Sequence, residues 1–245
     1  MTESVKQVLY RTNSFSNNKN ITSVNLNNAT FVNGNMFNVF SNCTNLTSVS
    51  NIGNSTVDMA YTFVNCNKLT SVGQLPNSVV NMYNTFYNCR ALSTTPVLPN
   101  AVKVLTNTFY YTNINTTPDI PNSVTSLDNT FRGCYNLTTI TPLPDTIQYM
   151  YGTFAYCNKL TSIPAIPPKV TNLASTFVGC NGFTNVTVPN TISELSYTFQ
   201  YCNKLTTVTI PDSVTSMYGT FSRCKSLVTP PTIPNSVTSM GNIAE

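Results

Sequence analysis

Histidine and tryptophan are absent from this chain, and charged residues make up only 8% of its 245 residues. Without histidine, the chain lacks the side chain that most often acts as a general base and that commonly joins cysteine in zinc sites. The eight acidic residues form no motif that joins a nucleophile to a base. No glycine-rich phosphate loop is present either. We therefore expect a protein that is not an enzyme and that holds no metal and no cofactor.

Long apolar runs and clusters of basic residues are also missing. No segment approaches the roughly 20 apolar residues of a membrane span. The net charge of +4 is spread thinly, with no run of lysine or arginine. We therefore expect neither membrane insertion nor nucleic-acid binding. The N-terminus lacks the pattern of a secretory signal, so either the chain leaves the cell by another route or a leader is missing from this sequence.

The chain contains a repeat marked by phenylalanine. Successive copies begin 22 to 25 residues apart, and an apolar residue, usually leucine, follows most of these phenylalanines after six positions. The marking residues are Phe15, Phe40, Phe63, Phe86, Phe109, Phe131, Phe154, Phe177, Phe199 and Phe221. A fixed period of this length predicts a solenoid with one supersecondary unit, or coil, per repeat.

All eight cysteines stand three residues after one of these phenylalanines, so each coil has at most one. Stacked coils place equivalent residues about 4.8 Å apart with parallel side chains. A disulfide needs Cβ atoms about 3.8 Å apart that point toward each other. We therefore expect a column of buried, reduced thiols that pack as small apolar side chains.

Each coil divides into three parts, which the copy at Phe199 illustrates. Residues 205–210 alternate apolar and threonine side chains and predict a strand. Pro211 ends this strand at a turn. Val214, Met217 and Phe221 then recur at i, i+3 and i+7, a spacing that predicts a short helical or 3₁₀ return.

The coil that begins at Phe109 departs most from the repeat. Thr112 stands where other coils have cysteine, Asn115 where they have leucine, and Pro118 where they have valine or isoleucine. We expect this coil to be the weakest of the array, with Ile114 turned inward to replace part of the lost apolar burial.

The repeat resembles the BspA-like leucine-rich repeat of bacterial surface proteins, which also occurs in phage proteins. The resemblance covers about residues 15–240, and threonine usually precedes the phenylalanine where the family favours alanine. It implies a right-handed solenoid with a parallel β-sheet on one face, and an adhesion or binding role without catalytic residues. The residues that carry it are Phe199, Cys202, Leu205, Val208, Ile210, Pro211, Val214 and Met217, with their equivalents in other coils.

Together, these observations predict an α/β repeat solenoid of about ten coils of 22–25 residues, with the sheet on one face and helical or 3₁₀ returns on the other. We assign residues 14–245 to the solenoid and residues 1–13 to an N-terminal tail or cap. The last coil has no polar cap, so we expect its apolar surface to pack on another chain.

Two surfaces are candidates for binding. The first is the outward threonine face of the strands, represented by Thr138, Thr161 and Thr206. β-Propensity and solubility explain this face more simply than ligand binding does, and a regular hydroxyl array could also order water or ice. The second is the edge at the cysteine turns, where the candidates are Tyr111, Tyr156, Lys159, Tyr201 and Lys204. Tyrosine suits recognition, but these side chains could equally shield the turn.

The functional hypothesis is a virion-associated phage attachment or decoration protein that binds a host-surface protein or glycan. Such a protein is made in a reducing cytosol and released by lysis, which suits eight reduced thiols. The alternatives are a bacterial cell-surface adhesin, which would be extracellular, and a structural or ice-binding solenoid. Partners would include other virion subunits at the last coil, or a second copy of the chain.

Overall fold

The phenylalanines of successive repeats lie one above another in the computed structural model, which describes residues 9–242. Neighbouring rings of this column are nearly parallel, with centroids 5.2–6.2 Å apart from Phe15 to Phe221. All the rings from Phe40 to Phe199 have no exposed surface. This column lies in the core from Phe40 to Phe221, and Phe15 at its beginning is half-buried.

Two further apolar columns flank the phenylalanine column. The first contains the leucine that follows the cysteine, and Leu46, Leu69, Leu92, Leu137, Leu160 and Leu205 are all buried. The second lies four residues before each phenylalanine from Phe40 to Phe221 and consists of Met36, Met59, Met82, Leu105, Leu127, Met150, Leu173, Leu195 and Met217. Because these columns join into one hydrophobic cluster, the core runs along the stack without interruption.

The strands are short and parallel, as the repeat predicts, but they form three separate sheets. Strand β1 (Leu9–Tyr10) pairs with β3 (Thr30–Phe31). Strand β2 (Ser23–Asn25) pairs with β4 (Ser48–Ser50), which pairs with β5 (Ser71–Val72). Strand β6 (Asn185–Thr187) pairs with β7 (Thr207–Thr209). The parallel pairing of strands from neighbouring coils that the resemblance implies is therefore present.

Proline explains why the sheet on this face is interrupted. The coils between β5 and β6 carry Pro96, Pro118, Pro142 and Pro164 at strand positions. Proline has no N–H to donate to a ladder, so regular pairing stops where it occurs. Among these coils, one isolated bridge, Thr116 to Thr139, continues the strand face. The strands β6 and β7 lie in coils that lack such a proline.

The returns differ from the prediction, which gave them a helical or 3₁₀ conformation. Among residues 9–242 the one helical element is a 3₁₀ turn at Val32–Gly34, and Asn33 inside it has a φ of 55°. The returns consist instead of successive four-residue turns. In the coil of Phe40, for example, the N–H of Ser41 donates to the carbonyl of Asn38 and that of Cys43 to the carbonyl of Phe40.

Left-handed residues are the reason that these returns are not helical. Each return has two left-handed residues. One stands two positions before the phenylalanine, as at Asn38 (φ 60°), and the other stands two positions after it, as at Asn42 (φ 59°). A right-handed helix requires negative φ throughout, so a positive value at these positions breaks it. Asparagine tolerates positive φ better than most residues and is frequent at both positions, a signal that the apolar spacing alone does not contain.

The left-handed geometry turns alternate N–H groups toward the following coil. Asn38, Phe40 and Asn42 donate to the carbonyls of Ala60, Thr62 and Val64 at 3.1, 2.9 and 2.7 Å. The same direction of donation recurs along the described stack, up to Gly219 and the carbonyl of Gly241 at 2.7 Å. The returns therefore hold neighbouring coils together with backbone hydrogen bonds, as strands do on the opposite face.

Buried threonines add a second set of contacts between coils. The threonine before each phenylalanine is fully buried from Thr62 to Thr220. Its hydroxyl donates to a carbonyl of the preceding coil, as when Thr153 Oγ1 donates to Leu127 O at 2.9 Å. An alanine at this position would leave that bond unmade, which explains the preference of this chain for threonine.

Residues 9–13 are the described part of the segment assigned to an N-terminal tail or cap. Besides the pairing of β1 with β3, the Tyr10 ring lies 5.4 Å from Phe15 and 5.7 Å from Phe31, measured between centroids. Residues 1–8 of this segment lie outside the described residues. The observed contacts place Tyr10 against the first aromatic residues of the core.

The coil of Phe109 contains a one-residue deletion after Thr112, which occupies the cysteine column as predicted. In the coil of Phe154, the core residues after Cys157 are Leu160, Ile163 and Ile166. In the coil of Phe109, the core residues after Thr112 are Ile114, Thr117 and Ile120. The spacing within the two sets is the same, but the second set starts one residue earlier. All three side chains are buried, and Ile114 has no exposed surface. Asn115 is exposed, so the expectation that it replaces the core leucine is wrong, whereas the inward position of Ile114 is confirmed.

We predict that Ile114→Ala destabilises the protein by about 2–5 kcal/mol, because it truncates a buried side chain. Asn115→Leu should change the stability by less than about 0.5 kcal/mol, because its side chain is exposed. Urea unfolding of both variants measures these changes. A stabilising Asn115→Leu together with a neutral Ile114→Ala would show that the two residues have exchanged roles.

Candidate functional site

The cysteine turn of each coil runs from the residue after the phenylalanine to the residue before the leucine. Tyr111, Tyr156 and Tyr201 occupy its left-handed position, with φ values of 56°, 63° and 61°. In the other coils the same position holds asparagine or glycine, as at Asn88 and Gly133, except in the coil of Phe221, where it holds Arg223 (φ 65°). A large aromatic residue is rarely found in this conformation because its Cβ is crowded there.

Two of these tyrosines pack onto a glycine of the next coil. The ring of Tyr111 lies over Gly133 and that of Tyr156 over Gly179, where an added Cβ would come within 2.6 Å of the Tyr156 ring. Tyr111 and Tyr156 are half-buried as a result, whereas Tyr201 has 42% of its surface exposed. Shielding of the turn is thus part of the role of Tyr111 and Tyr156, and all three rings still reach the surface.

The predicted lysines lie on the same edge. Lys159 and Lys204 are exposed three residues after Tyr156 and Tyr201. The equivalent Lys68 donates from Nζ to Asn45 Oδ1 of the preceding coil at 2.8 Å. A lysine at this position can therefore lie along the turn edge and place its charge beside a neighbouring coil.

The threonine face offers fewer free donors than the sequence suggests. Thr138, Thr161 and Thr206 are exposed. However, Thr138 Oγ1 donates to Asn115 O at 3.2 Å and Thr206 Oγ1 to Thr184 O at 2.9 Å. These hydroxyls can still accept hydrogen bonds, but their protons stabilise contacts between coils.

The structure reveals an aromatic–arginine cluster at the cysteine turns, formed by Tyr87, Tyr110, Tyr111, Arg132, Tyr135 and Tyr156. Tyr87 stacks on Tyr110 with centroids 4.7 Å apart, and Tyr111 stacks on Tyr135 at 5.8 Å. The Arg132 guanidinium lies 6.0 Å from the centroid of Tyr110 and 5.2 Å from that of Tyr156. Such distances suit cation–π attraction.

Only Tyr111 and Tyr156 of this cluster were among the residues predicted from the sequence. The position directly after the phenylalanine could have indicated the cluster, because it holds Tyr87, Tyr110 and Arg132 in three consecutive coils. Burial raises the pKa of Tyr110, and the nearby Arg132 opposes that rise. Burial, with a hydrogen bond to Tyr111, likewise raises the pKa of Tyr135, so both phenols stay neutral at physiological pH.

The cysteine column is buried, as predicted. All eight cysteines are free, seven are buried, and Cys224 is half-buried. Each Sγ donates to the carbonyl of the phenylalanine in the preceding coil, as from Cys157 to Phe131 at 3.2 Å. Burial raises the pKa of Cys66 and Cys134 to about 12 and that of Cys224 to about 11, so the thiolate needed for nucleophilic attack is rare.

Within residues 9–242, the His, Cys, Asp and Glu side chains form no group that could hold a metal ion. The same residues contain no helix that is long and apolar enough to cross a membrane. The chemistry that the surface offers is therefore that of aromatic rings, hydroxyls, amides and a few cationic groups.

The stacked coils, parallel strands and leucine column define a leucine-rich-repeat protein. The family model of the BspA type leucine rich repeat region, in six copies, matches residues 9–138, 59–175 and 127–244. Because these matches cover nearly the whole chain, the protein belongs to this family. No curated protein sequence matches the chain.

Solved structures of bacterial leucine-rich-repeat proteins are similar to this chain at low sequence identity. A leucine-rich repeat protein from Bacteroides ovatus is 21% identical, with a TM-score of 0.49 and coverage of 82% of this chain and 76% of its own. A leucine rich cell surface protein from Faecalibacterium prausnitzii is 20% identical, with a TM-score of 0.44 and coverages of 95% and 82%. A leucine-rich repeat protein from Eubacterium ventriosum is 16% identical, with a TM-score of 0.43 and coverages of 96% and 81%.

We predict that the free energy of unfolding falls steeply as the pH rises above about 9. Unfolded thiols ionise near their ordinary pKa, whereas Cys66 and Cys134 keep their protons until about pH 12. The unfolded state therefore binds fewer protons in this range, and each such thiol lowers the stability by about 1.4 kcal/mol per pH unit.

Urea unfolding between pH 7 and 11 measures this slope. Cys89→Thr is a matched variant, because Thr112 shows that threonine fits this column. It should reduce the slope by the contribution of one thiol. An unchanged slope would mean that the thiols do not cause the alkaline loss of stability.

Proposed function

We propose that this chain is a non-enzymatic binding protein that presents its cysteine-turn edge to a protein or glycan on a cell surface. The observation that carries the proposal is the left-handed conformation of Tyr111, Tyr156 and Tyr201. Asparagine or glycine would adopt it at lower conformational cost, and six other coils use those residues, as at Asn88 and Gly133. The tyrosines are therefore retained for their rings, which are rigid and amphipathic and suit recognition.

The aromatic–arginine cluster supports the same edge. It combines exposed ring area at Tyr135, which is 48% exposed, with the cationic Arg132. Aromatic residues and arginine are enriched at the centres of recognition surfaces because they combine large contact area with directed hydrogen bonds. The strand face supports binding less well, because its threonine protons are used between coils.

The biological setting that we favour is a phage virion, in which the protein serves for attachment or decoration. The eight unpaired cysteines support assembly in a reducing cytosol. Family membership supports the alternative, a bacterial cell-surface adhesin of the BspA-like type. A structural or ice-binding solenoid has less support, because prolines interrupt the flat strand face. In both settings, we propose that about ten repeats form one right-handed solenoid.

An antibody against the purified protein tests the setting directly. Virions and cell envelopes from the source culture are separated on a density gradient and labelled with immunogold for electron microscopy. We expect gold on the virions. Gold confined to the cell envelope would favour the adhesin, and gold on neither fraction would contradict both settings.

We predict that removal of the turn tyrosines weakens binding of the labelled protein to the cells that it recognises, measured by flow cytometry. The variants Tyr156→Gly and Tyr201→Gly remove the rings while glycine keeps the left-handed backbone without strain. Tyr149→Ala is a control, because this tyrosine is exposed outside the cysteine turns. A loss of binding in the control but not in the turn variants would place the binding surface elsewhere.

The last described coil supports a further contact. Leu227, Ile233 and Val237 are half-buried, and Met240 is 56% exposed, whereas the equivalent Leu205 and Val214 of the preceding coil are fully buried. We propose that another subunit, a second copy of this chain in the purified protein, covers this apolar edge. The proposal rests on this exposed apolar surface, because association removes apolar surface from water.

We predict that light scattering shows association that increases with protein concentration and that Met240→Lys weakens it. Tyr149→Lys is the matched control, because it adds the same charge at an exposed residue away from this edge. A particle that stays monomeric at high concentration would contradict the contact between copies.

A further inference from the structure

We infer that the one-residue deletion in the coil of Phe109 opens a small cleft that binds a carboxylate-bearing sugar. The cleft, which we call the turn notch, is lined by Arg90, Tyr111, Thr112, Asn113 and Tyr135 and has a volume of about 350 Å³. The inference rests on the proposed function in that it places a ligand on the same edge. It goes further by naming one site and the chemistry that the site recognises.

The deletion explains why the notch lies in this coil. The coils on either side have two residues between cysteine and leucine, Arg90 and Ala91 in one and Tyr135 and Asn136 in the other. Between Thr112 and Ile114 there is only Asn113. The turn edge is therefore one residue short here, while the flanking turns keep their full length and form the walls.

The charged group of the notch is the guanidinium of Arg90. Arg90 is exposed, and its Nε donates to Asn88 Oδ1 at 2.7 Å, which fixes the plane of the guanidinium. The two terminal nitrogens can then pair with the two oxygens of one carboxylate. No aspartate or glutamate lines the notch, so a bound anion meets no like charge.

The remaining lining suits a sugar ring. Tyr111 and Tyr135 stack with an interplanar angle of 27°, so their rings form a stepped aromatic surface. The C–H face of a pyranose can pack on such a surface while its hydroxyls reach the rim. At that rim, the described side-chain hydrogen bond of Asn113 uses its Oδ1, so its NH₂ is the group that it can offer a ligand.

An acidic peptide fits the notch less well. Peptides in grooves usually bind through backbone hydrogen bonds to an exposed edge. Here the N–H groups of the turn already have partners within the stack, since Thr112 donates to Phe109 O, Tyr111 to Arg132 O and Asn113 to Leu92 O. The volume is also at the lower end of the range for small-molecule sites.

Isothermal titration of the full chain tests the inference with two acidic sugars and their neutral counterparts. The probes are a galacturonate trisaccharide against its methyl ester, and sialyllactose against lactose. We expect at least one acid to bind about tenfold more tightly than its neutral counterpart, because a charge-assisted pair with Arg90 is lost in the latter. Absence of binding by both acids, or equal binding of acid and neutral sugar, would overturn the inference.

Arg90→Gln should weaken binding of the acid about tenfold and leave the neutral sugar unchanged, so that the variant no longer distinguishes them. Lys225→Gln is the matched control: it removes one positive charge at the equivalent turn position of another coil. It should bind like the unmodified chain. Equal weakening by both substitutions would mean that only net charge matters, and the notch would not be the site.

Insertion of one alanine between Asn113 and Ile114 restores the usual turn length and removes none of the lining side chains. This variant should lose binding while keeping the urea midpoint of the parent within experimental error. Retained binding in the folded variant would overturn the inference, as would tighter binding of an acetylated glutamate tetrapeptide.

Cell binding distinguishes failure of the notch from failure of the proposed function. If Arg90→Gln abolishes sugar binding but cells still bind the variant, the notch is a sugar site that cell attachment does not need. If the unmodified chain binds cells but no sugar, the proposed function stands without the notch.

Discussion

Hydrogen bonds between neighbouring coils are the constraint on which this structure depends. On the return face they require two left-handed residues per coil, which direct alternate N–H groups to the carbonyls of the next coil. A helical return would close these donors within its own coil and leave no backbone bond across the gap. The chain thus builds ladders on both faces of the solenoid while using almost no regular secondary structure.

Side chains stabilise the same gaps and account for the unusual composition. Threonine hydroxyls, cysteine thiols and asparagine amides each bond to the neighbouring coil, as when Asn65 Nδ2 donates to Asn42 Oδ1 at 2.8 Å. Each group is neutral, so identical residues can lie directly above one another without the repulsion that a column of like charges would produce. A chain with few charges and many threonines and asparagines is therefore what this architecture favours.

The sequence contained enough information for the core columns but not for the backbone of the returns. The phenylalanine, cysteine and leucine spacings predicted buried columns because burial follows directly from apolar periodicity. Val214, Met217 and Phe221 share a helical spacing, yet the turns reproduce that spacing with positive φ at Gly219 of the same return, as at Tyr197 of the preceding one. The decisive signal was the asparagine or glycine that stands at one or both of these positions around most of the phenylalanines.

The candidate site was predicted less completely than the core. Tyr111 and Tyr156 were identified from the cysteine turns, but Tyr135 and Arg132 join them only because coils stack, which brings together residues more than twenty positions apart. The deletion beside Asn113 was hidden because a fixed period assigns Asn115 to the core column. Only the burial of Ile114 shows where the residue is missing.

The one direction of donation around the phenylalanines also makes the two ends of the stack chemically different. From four residues before each phenylalanine to two residues after it, the N–H groups that cross a gap point toward the later coil, whereas earlier in the return they point back, as from Thr215 to Ser193 O. At the positions around the phenylalanine, a segment of the stack therefore offers donors at one end and carbonyl acceptors at the other. A contact with two-fold symmetry would bring like groups together at this face. A head-to-tail contact would instead continue the ladder, so the polarity of the backbone specifies the order in which solenoid units can be joined.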